Sequence, residues 1–341
     1  MTHESQYPLV TFVLFAYNQE TYIREAVEAA LAQDYPNLEI ILSDDCSSDK
    51  TFDVMQELAS GYVGPHQIVV RRNPENLGLG RHFHEVVRIA RGSFLVVAAG
   101  DDVSVPSRTS LMLDLMQREG AQLAASNFNR MSNSGCVLSK NESNDYSNNY
   151  LWKIIDTDSK FFVNGATAVY TRDFLLRAFS VAQVAIQDGK LYNEDIFLSA
   201  FAVAEESRPA SYIVEGLVNY RMNPDSLSNF ERQSGGVIAQ IELIRRERFW
   251  AMTKIGILNV VHEIANAYPN FARCLNQEVI DRDQRLADYE LAASHPRFSR
   301  RLQNLGAASS ARQIRVAVAR LFGEKVHGVI RTMCSIFANG K

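Results

Sequence analysis

Asp101 and Asp102 stand side by side at the end of the apolar run "SFLVVAAG". Adjacent carboxylates repel, and a turn needs one of them at most. The helix signals that follow, Ser104 as a cap and Pro106 at the first helical position, account for neither acid. Taken alone, the dipeptide fits an ordinary turn; its surroundings favour another use. A hard divalent cation explains both carboxylates, because Mg2+ and Mn2+ prefer oxygen ligands and are often completed by substrate phosphates. Asp101 and Asp102 together are therefore the candidate metal site. A cation held between the protein and a diphosphate would stabilise a departing phosphate group.

Two further acidic stretches fall at similar places. "SDDCSSDKT" (Ser43–Thr51) ends another apolar run. Part of it is a strand-to-helix turn with caps. An acid at that strand end could also accept a hydrogen bond from a base N–H while Tyr17, at the neighbouring strand end, stacks on the ring. That combination suits a pyrimidine, since uracil and thymine carry an N3–H donor. In "LYNEDIFLSAFAV", acids at a helix start complement the helix dipole, which accounts for Glu194. Asp195 is the candidate general base aimed into the same cleft. "NLGLGRHF" superficially resembles a dinucleotide-binding loop, but that fingerprint belongs in the first strand-to-helix turn. Here that turn is "FAYNQETY", without glycine, and no phosphate-binding P-loop is present. The glycines read instead as permitting a tight loop near the ligand. No HExxH or GxSxG occurs, and His82 and His84 would not share a helical face, so hydrolase chemistry has no foothold.

The elements that must position these residues follow a regular alternation. "PLVTFVLFAY", "LEIILSDD", "QIVVRR" and "SFLVVAA" read as strands, the first apolar enough to be buried on both faces. Helical patterns separate them: "NQETYIREAVEAALAQ", "SSDKTFDVMQELA" and "RHFHEVVRIAR". Such alternation implies an α/β fold with a mostly parallel sheet, which binds ligands at the carboxyl ends of its strands. Tyr17, Asp44–Asp45 and Asp101–Asp102 all fall at such ends. Beyond Ala121, "AQLAASNF", "FFVNGATAVY" and "SYIVEGLVNYRM" read as further strands and "NEDIFLSAFAVAEE" as a helix. The polar stretch Ser132–Tyr150 reads as a mobile loop. Helical patterns dominate from Arg232, which places a domain boundary near residue 230.

Composition sets the outer limits. Of 341 residues, 46% are hydrophobic and 22% charged, ordinary values for a globular protein with a core. Four cysteines lie far apart without metal-finger spacing and read as reduced thiols. With no secretory signal and no apolar run of membrane-spanning length, a cytoplasmic location is expected. The net charge of −4 conceals an asymmetry: Pro296–Lys341 carries nine Lys/Arg and one acid, a balance of +8 against −12 elsewhere. An anionic partner is expected for the tail only, and no nucleic-acid partner for the protein. "ARQIRVAVARLFGEKVHGVIRTMCSIF" has apolar residues near helical spacing with Arg312, Arg320 and Arg331 toward the other side. It reads either as a helix docked on the catalytic domain or as an interfacial helix on an anionic membrane surface.

Together the stretches "VTFVLFAYNQETYIREAVEAALAQDYPNLEIILSDDCSSDKT", "NPENLGLGRHFHEVVRIARGSFLVVAAGDDVSVPSR", "NGATAVYTRDFL" and "YNEDIFLSAFAV" resemble, in order, the motifs of a family 2 glycosyltransferase with the GT-A fold. The resemblance covers about Pro8 to Ser228. It implies a Rossmann-like GT-A catalytic domain over residues 1–230 and a mainly helical extension over 231–341. It implies that Tyr17 and Asp45 hold the pyrimidine of a nucleotide-sugar, that Asn76 and Gly78 lie in the loop near the donor, and that Asp101 and Asp102 match the metal–diphosphate motif. Asp195, with Glu194 as its neighbour, matches the inverting base. "YRMNPDSLS", which includes Arg221, resembles a late strand and loop closing over the diphosphate. Asn223 stands where the family often has histidine, and Phe15 where a small or polar residue is common. The implied reaction is inverting transfer of a sugar from a UDP- or dTDP-sugar, with Mn2+ or Mg2+, to a hydroxyl of a glycan or lipid-linked acceptor in cell-surface polysaccharide assembly. Two alternatives stand beside it. A sugar nucleotidyltransferase would show a Gly-rich basic loop after the first strand. A nucleotide-sugar-binding protein without transfer activity would need no base.

Overall fold

The computed structural model describes residues 7–142, 164–187, 191, 194–205, 211–222, 257–259, 261–277 and 280–281. The loop that follows Met222 and the amphipathic C-terminal segment lie outside them. All described residues fall in one compact unit, Met1–Gln233 with Thr253–Arg282; the second unit, Ser234–Met252 with Asp283–Lys341, lies wholly outside them.

The strand β1 (Val10–Ala16) is buried at every residue, as is β2 (Leu38–Asp44). Strands covered on both faces need apolar side chains at odd and even positions alike. Phe12 and Leu14 join Ile40, Leu42, Val96 and Ala98 in one core, against Ile23 and Val27 of α1 (Ile23–Leu31), Met55 of α2 (Thr51–Ser60) and Met112 of α4 (Arg108–Glu119). Val13, Phe15, Ile41, Leu95 and Val97 point the other way. They meet Phe83 of α3 (Leu79–Ile89), Phe174 of α5 (Arg172–Val181), Ile186 of α6 (Gln183–Gln187) and Phe197 of α7 (Glu194–Ala204). The result is a sheet between two helical layers.

The order of the sheet is β3-β2-β1-β4-β8-β6-β9-β5, with β7 paired to β6. Here β3 is Gln67–Arg72, β4 Phe94–Ala99, β5 Val103–Ser104, β6 Leu123–Met131, β7 Val137–Glu142, β8 Val169–Thr171 and β9 Ser211–Arg221. Strands β1 to β4 pair in parallel, as the alternation with helices requires. The far half is mixed rather than parallel: β4–β8, β6–β8, β6–β7 and β5–β9 are antiparallel, and β6–β9 is parallel.

Three expectations change. "FFVNGATAVY" is not one strand. The Asn164 side chain accepts the Ala166 N–H at 3.0 Å and starts a 3-10 turn, Gly165–Thr167, before the short β8. The polar stretch from Ser132 is a hairpin into β7, turning through Gly135 at φ +83°, and only its part from residue 143 lies outside the described residues. Ile257, Leu258, Val261, Ile264, Phe271 and Ile280 belong to the same core as α5 and α7. The compact unit therefore takes in part of the stretch assigned to the helical extension. Among the described residues no helix is long and apolar enough to cross a membrane.

Candidate functional site

Parallel pairing places the carboxyl ends of β1, β2 and β4 side by side, with Ala16 opposite Asp44 and Phe15 opposite Ala99. The residues that follow these ends form the site, as expected for an open α/β sheet. Tyr17 is 46% exposed, an aromatic face left open beside the first turn. That turn is tied to the next by reciprocal bonds. Asn18 N–H donates to Ser47 Oγ (2.9 Å) and Gln19 N–H to Thr51 Oγ1 (2.7 Å), while Ser48 N–H donates back to Asn18 Oδ1 (2.8 Å). Asp44 is spent on structure: its carboxylate takes the Ser47 N–H (3.0 Å) and hydroxyl, and pairs with Arg72 at 3.2 Å.

Asp45 is 4% exposed, and its carboxylate holds the loop after β3. Oδ1 accepts from Asn73 Nδ2 (2.7 Å) and Leu77 N–H (2.9 Å), and Oδ2 from Gly78 N–H (2.9 Å). Asn76 Oδ1 also accepts the Gly78 N–H, at 2.9 Å. Gly78 has φ +73°, a conformation that favours glycine. Asn76 and Gly78 thus shape this loop around Asp45. Phe15 sets its ring edge against His82 (4.9 Å) and Phe83 (5.2 Å), beneath the same corner.

The acid pair after β4 follows Gly100, where the Gln19 side-chain oxygen occupies the space a Cβ would take. Asp102 is 5% exposed. Its Oδ1 accepts the Arg221 N–H at 2.8 Å, while the buried Oδ2 has no hydrogen-bond partner among the described residues. Burial, and then the charge of Asp101, push Asp102 well above the ordinary carboxylate range; the Arg221 N–H and the Arg108 and Arg221 cations oppose this. Burial raises Asp101 as well. A buried carboxylate oxygen without a donor is costly unless a cation or proton meets it. The donor set is hard oxygen, so the residues present fit Mg2+ or Mn2+. Among the described residues no cluster of three or more His, Cys, Asp or Glu could hold a metal, so substrate oxygens would have to complete the coordination.

Arg221 does not have the role expected for it. It is fully buried, and its guanidinium donates to the carbonyls of Asp101 (2.8 Å), Ser132 (3.2 Å) and Asn133 (2.8 Å) and to Glu25 Oε2 (2.9 Å). Its cation also lies 4.7 Å from the Tyr22 ring centroid. With its donors committed inside the protein, it braces the acid pair and does not reach a donor molecule.

Asp195 and Glu194 open α7 beside the Asn164–Gly165 turn. Asp195 Oδ1 accepts the Ile196 N–H at 2.7 Å, and the Gly165 N–H also serves its carboxylate. A Cβ on Gly165 would stand 2.9 Å from Glu194 Oε1. Burial raises Asp195 to about 6, held back by the Ile196 and Gly165 N–H groups. Burial, then the Asp195 charge, raise Glu194 to about 8. The two environments separate a group that ionises near neutrality from one held protonated, as division of acid and base roles requires.

One residue outside the sequence-based assignment links the two acid pairs. Arg108 is fully buried. Nη2 donates to the carbonyls of Val97 (2.7 Å) in β4 and Ala166 (3.0 Å) in the 3-10 turn, and Nη1 to Ser104 Oγ (2.9 Å). Ser104, expected as a helix cap, is thus an acceptor for Arg108. The strand that leads to Asp101–Asp102 is thereby clamped to the turn that orients Asp195. Its only signal in the sequence is an arginine six residues after the acid pair.

Residues 11–183 match the family model described as glycosyl transferase family 2. The chain belongs to this family. Among curated relatives of this glycosyltransferase, the succinoglycan biosynthesis protein ExoO of Rhizobium meliloti (strain 1021) is 34% identical over 131 residues, 38% of the chain and 36% of ExoO. The Escherichia coli protein WfaP, a UDP-Glc:alpha-D-GlcNAc-diphosphoundecaprenol beta-1,3-glucosyltransferase, is 30% identical over 120 residues, 35% of the chain and 46% of WfaP. The matches therefore span less than half of either relative. The mannosyltransferase PcManGT of Pyrobaculum calidifontis, solved with GDP-Man and Mn2+, superposes with a TM-score of 0.53 at 18% identity, over 98% of this chain and 85% of that one. That likeness bears out the GT-A fold.

Proposed function

We propose that this family 2 glycosyltransferase transfers a sugar, with inversion, from a UDP- or dTDP-sugar to a hydroxyl of a glycan or lipid-linked acceptor. The observation that carries this reading is Asp102 Oδ2, buried beside Asp101 without a partner among the described residues, on a strand braced through Arg108 to the turn that orients Asp195. Asp101 and Asp102 would hold Mn2+ or Mg2+, which supplies a Lewis acid for the charge that develops on the leaving nucleoside diphosphate. Tyr17 stacks on the base, and Asp45 accepts its N–H. Asp195 takes the acceptor hydroxyl proton as that oxygen attacks the anomeric carbon, and Glu194, protonated, leaves it as the single charge of its pair. A role in polysaccharide assembly accords with the names of the relatives. The +8 tail supports attachment to an anionic membrane surface that would present a lipid-linked acceptor.

The test is calorimetric titration of UDP with and without Mn2+, paired with release of UDP from UDP-sugars in the presence of acceptor. Metal-dependent binding that Asp102→Asn weakens at least tenfold, with the fold intact, is the expected result. Full binding and turnover in excess EDTA would sink the metal assignment.

A further inference from the structure

Behind Asp45 lies a partly buried hydrogen-bond chain that the transfer chemistry does not use. Arg71, at the end of β3, donates from Nη1 to Ser43 Oγ at 2.6 Å and from Nη2 to Asn73 Oδ1. The Ser43 hydroxyl lies 2.5 Å from His82 Nε2. His82 is 2% exposed, and burial pushes it down to about 4, so its ring is neutral and can accept at Nε2. Ser43 Oγ receives the Arg71 proton whichever way its bond to His82 runs. Arg71 is pinned by Ser43 on one side, and on the other it fixes the carbonyl oxygen of Asn73. The amide group of Asn73 must then face Asp45, where it donates to Oδ1.

This orientation rations the acceptor capacity of Asp45. An ionised carboxylate offers about four lone-pair positions, two per oxygen. Asn73 and Leu77 fill the two on Oδ1, and Gly78 takes one on Oδ2. Among the described residues no further donor reaches Asp45, which leaves one position, on one oxygen. Uracil and thymine present a single ring N–H between two carbonyls. Guanine presents a ring N–H and an amino group side by side, which suit a carboxylate with both oxygens free.

We propose that Arg71 and Asn73 are positioning residues that set nucleobase selectivity, by leaving Asp45 room for one N–H donor and so favouring uracil or thymine over guanine. This deepens the reading of Asp45 as the base-recognition residue and rests on it. It differs from that reading in making the selectivity a property of two residues that do not touch the base.

The experiment measures Kd for UDP, dTDP and GDP, with Mn2+ present, in the full-length protein and in Asn73→Ala, Arg71→Met and Arg71→Lys. Wild type should favour UDP and dTDP over GDP by roughly tenfold or more, the value of one hydrogen bond to a charged group. Asn73→Ala frees a position on Oδ1 and should shrink that ratio about tenfold, mainly through tighter GDP binding. Arg71→Met should move it in the same direction, and Arg71→Lys, which can still donate to Asn73, should restore much of it. A general loss of packing would weaken all three nucleotides together and leave the ratio alone; that outcome, or a wild type that prefers GDP, overturns the proposal. A wild type that binds none of the three overturns the reading of Asp45 as well. Should Asn73→Ala fail to fold, the contrast between Arg71→Met and Arg71→Lys decides alone, an equal ratio in the two counting against the proposal.

Discussion

The assignment of Asp195 as the base, and not Glu194, makes a prediction in which the two acids behave oppositely. Asp195→Asn keeps the size of the side chain and can still accept the Ile196 N–H through its carbonyl oxygen. Donor affinity should stay near wild type while kcat falls by about 10²–10⁴, the usual contribution of a positioned base, or about 3–5 kcal/mol of barrier. The acidic limb of kcat/KM reports the unliganded enzyme, so it should have its midpoint at about 6, the value to which burial raises Asp195. Activity is lost as pH falls through that value, because the base must be ionised to accept a proton. Glu194→Gln should leave this limb nearly in place. Glu194 is raised to about 8, so it is protonated while Asp195 titrates and adds little charge to it. In the other direction the coupling is felt: Asp195→Asn removes the second cause of the upward shift in Glu194. The assay is release of nucleoside diphosphate across the pH range, together with equilibrium binding of UDP. A Glu194→Gln enzyme that loses the limb and the rate, beside an Asp195→Asn enzyme that keeps both, would refute the assignment. If neither substitution matters, the base lies outside this helix, and the anomeric configuration of the product must be determined afresh.

Arg108→Met leaves the Val97 and Ala166 carbonyls without their donor and should cost about 2–4 kcal/mol in urea unfolding, with a larger fall in kcat than in donor affinity. Cys46 adopts φ +63°, where a Cβ costs about 1–2 kcal/mol and glycine does not; after allowance for the freedom glycine gains in the unfolded chain, Cys46→Gly should stabilise by up to about 1 kcal/mol, and Cys46→Val should destabilise. Glu194 is raised in the folded state, so its contribution to stability is full below the unfolded value of 4.5 and is lost as pH rises through about 8. Thermal unfolding should therefore show Glu194→Gln gaining on wild type progressively as pH rises from about 4.5 to about 8, with no gain below that range.

Residues that carried a periodic or compositional signal were legible in the sequence. The first four strands have apolar centres and are separated by amphipathic helices, and the structure pairs them in parallel. The far half of the sheet was harder to read because β5 has two residues and β8 three, too few to show any period. "FFVNGATAVY" looked like a strand because its turn is made by the Asn164 side chain and by Gly165, and apolar content does not register either. The apolar residues between Ile257 and Ile280 showed their helical spacing but not the core they join. Arg108 and Arg221 were misjudged or passed over for one reason: arginine is ordinarily a surface residue, and only the carbonyls gathered around these two show that they are buried braces.

The aspartates show why residue type can mark a site without dividing its labour. Asp44 and Asp45 are neighbours in one motif, yet Asp44 is consumed by Ser47 and Arg72 while Asp45 keeps one acceptor position after three donors. Asp102 has one oxygen served by a backbone N–H and the other by nothing among the described residues. Asp195 is met by two backbone N–H groups that hold it near neutrality against its burial. What separates these four carboxylates is the number of lone pairs each has left. Most of the donors that set that number are backbone N–H groups, which every residue but proline carries and which therefore leave no mark in the sequence. On the proposed reading, a structural acid, a base reader, a metal ligand and a general base share one letter and differ by the folded backbone around them.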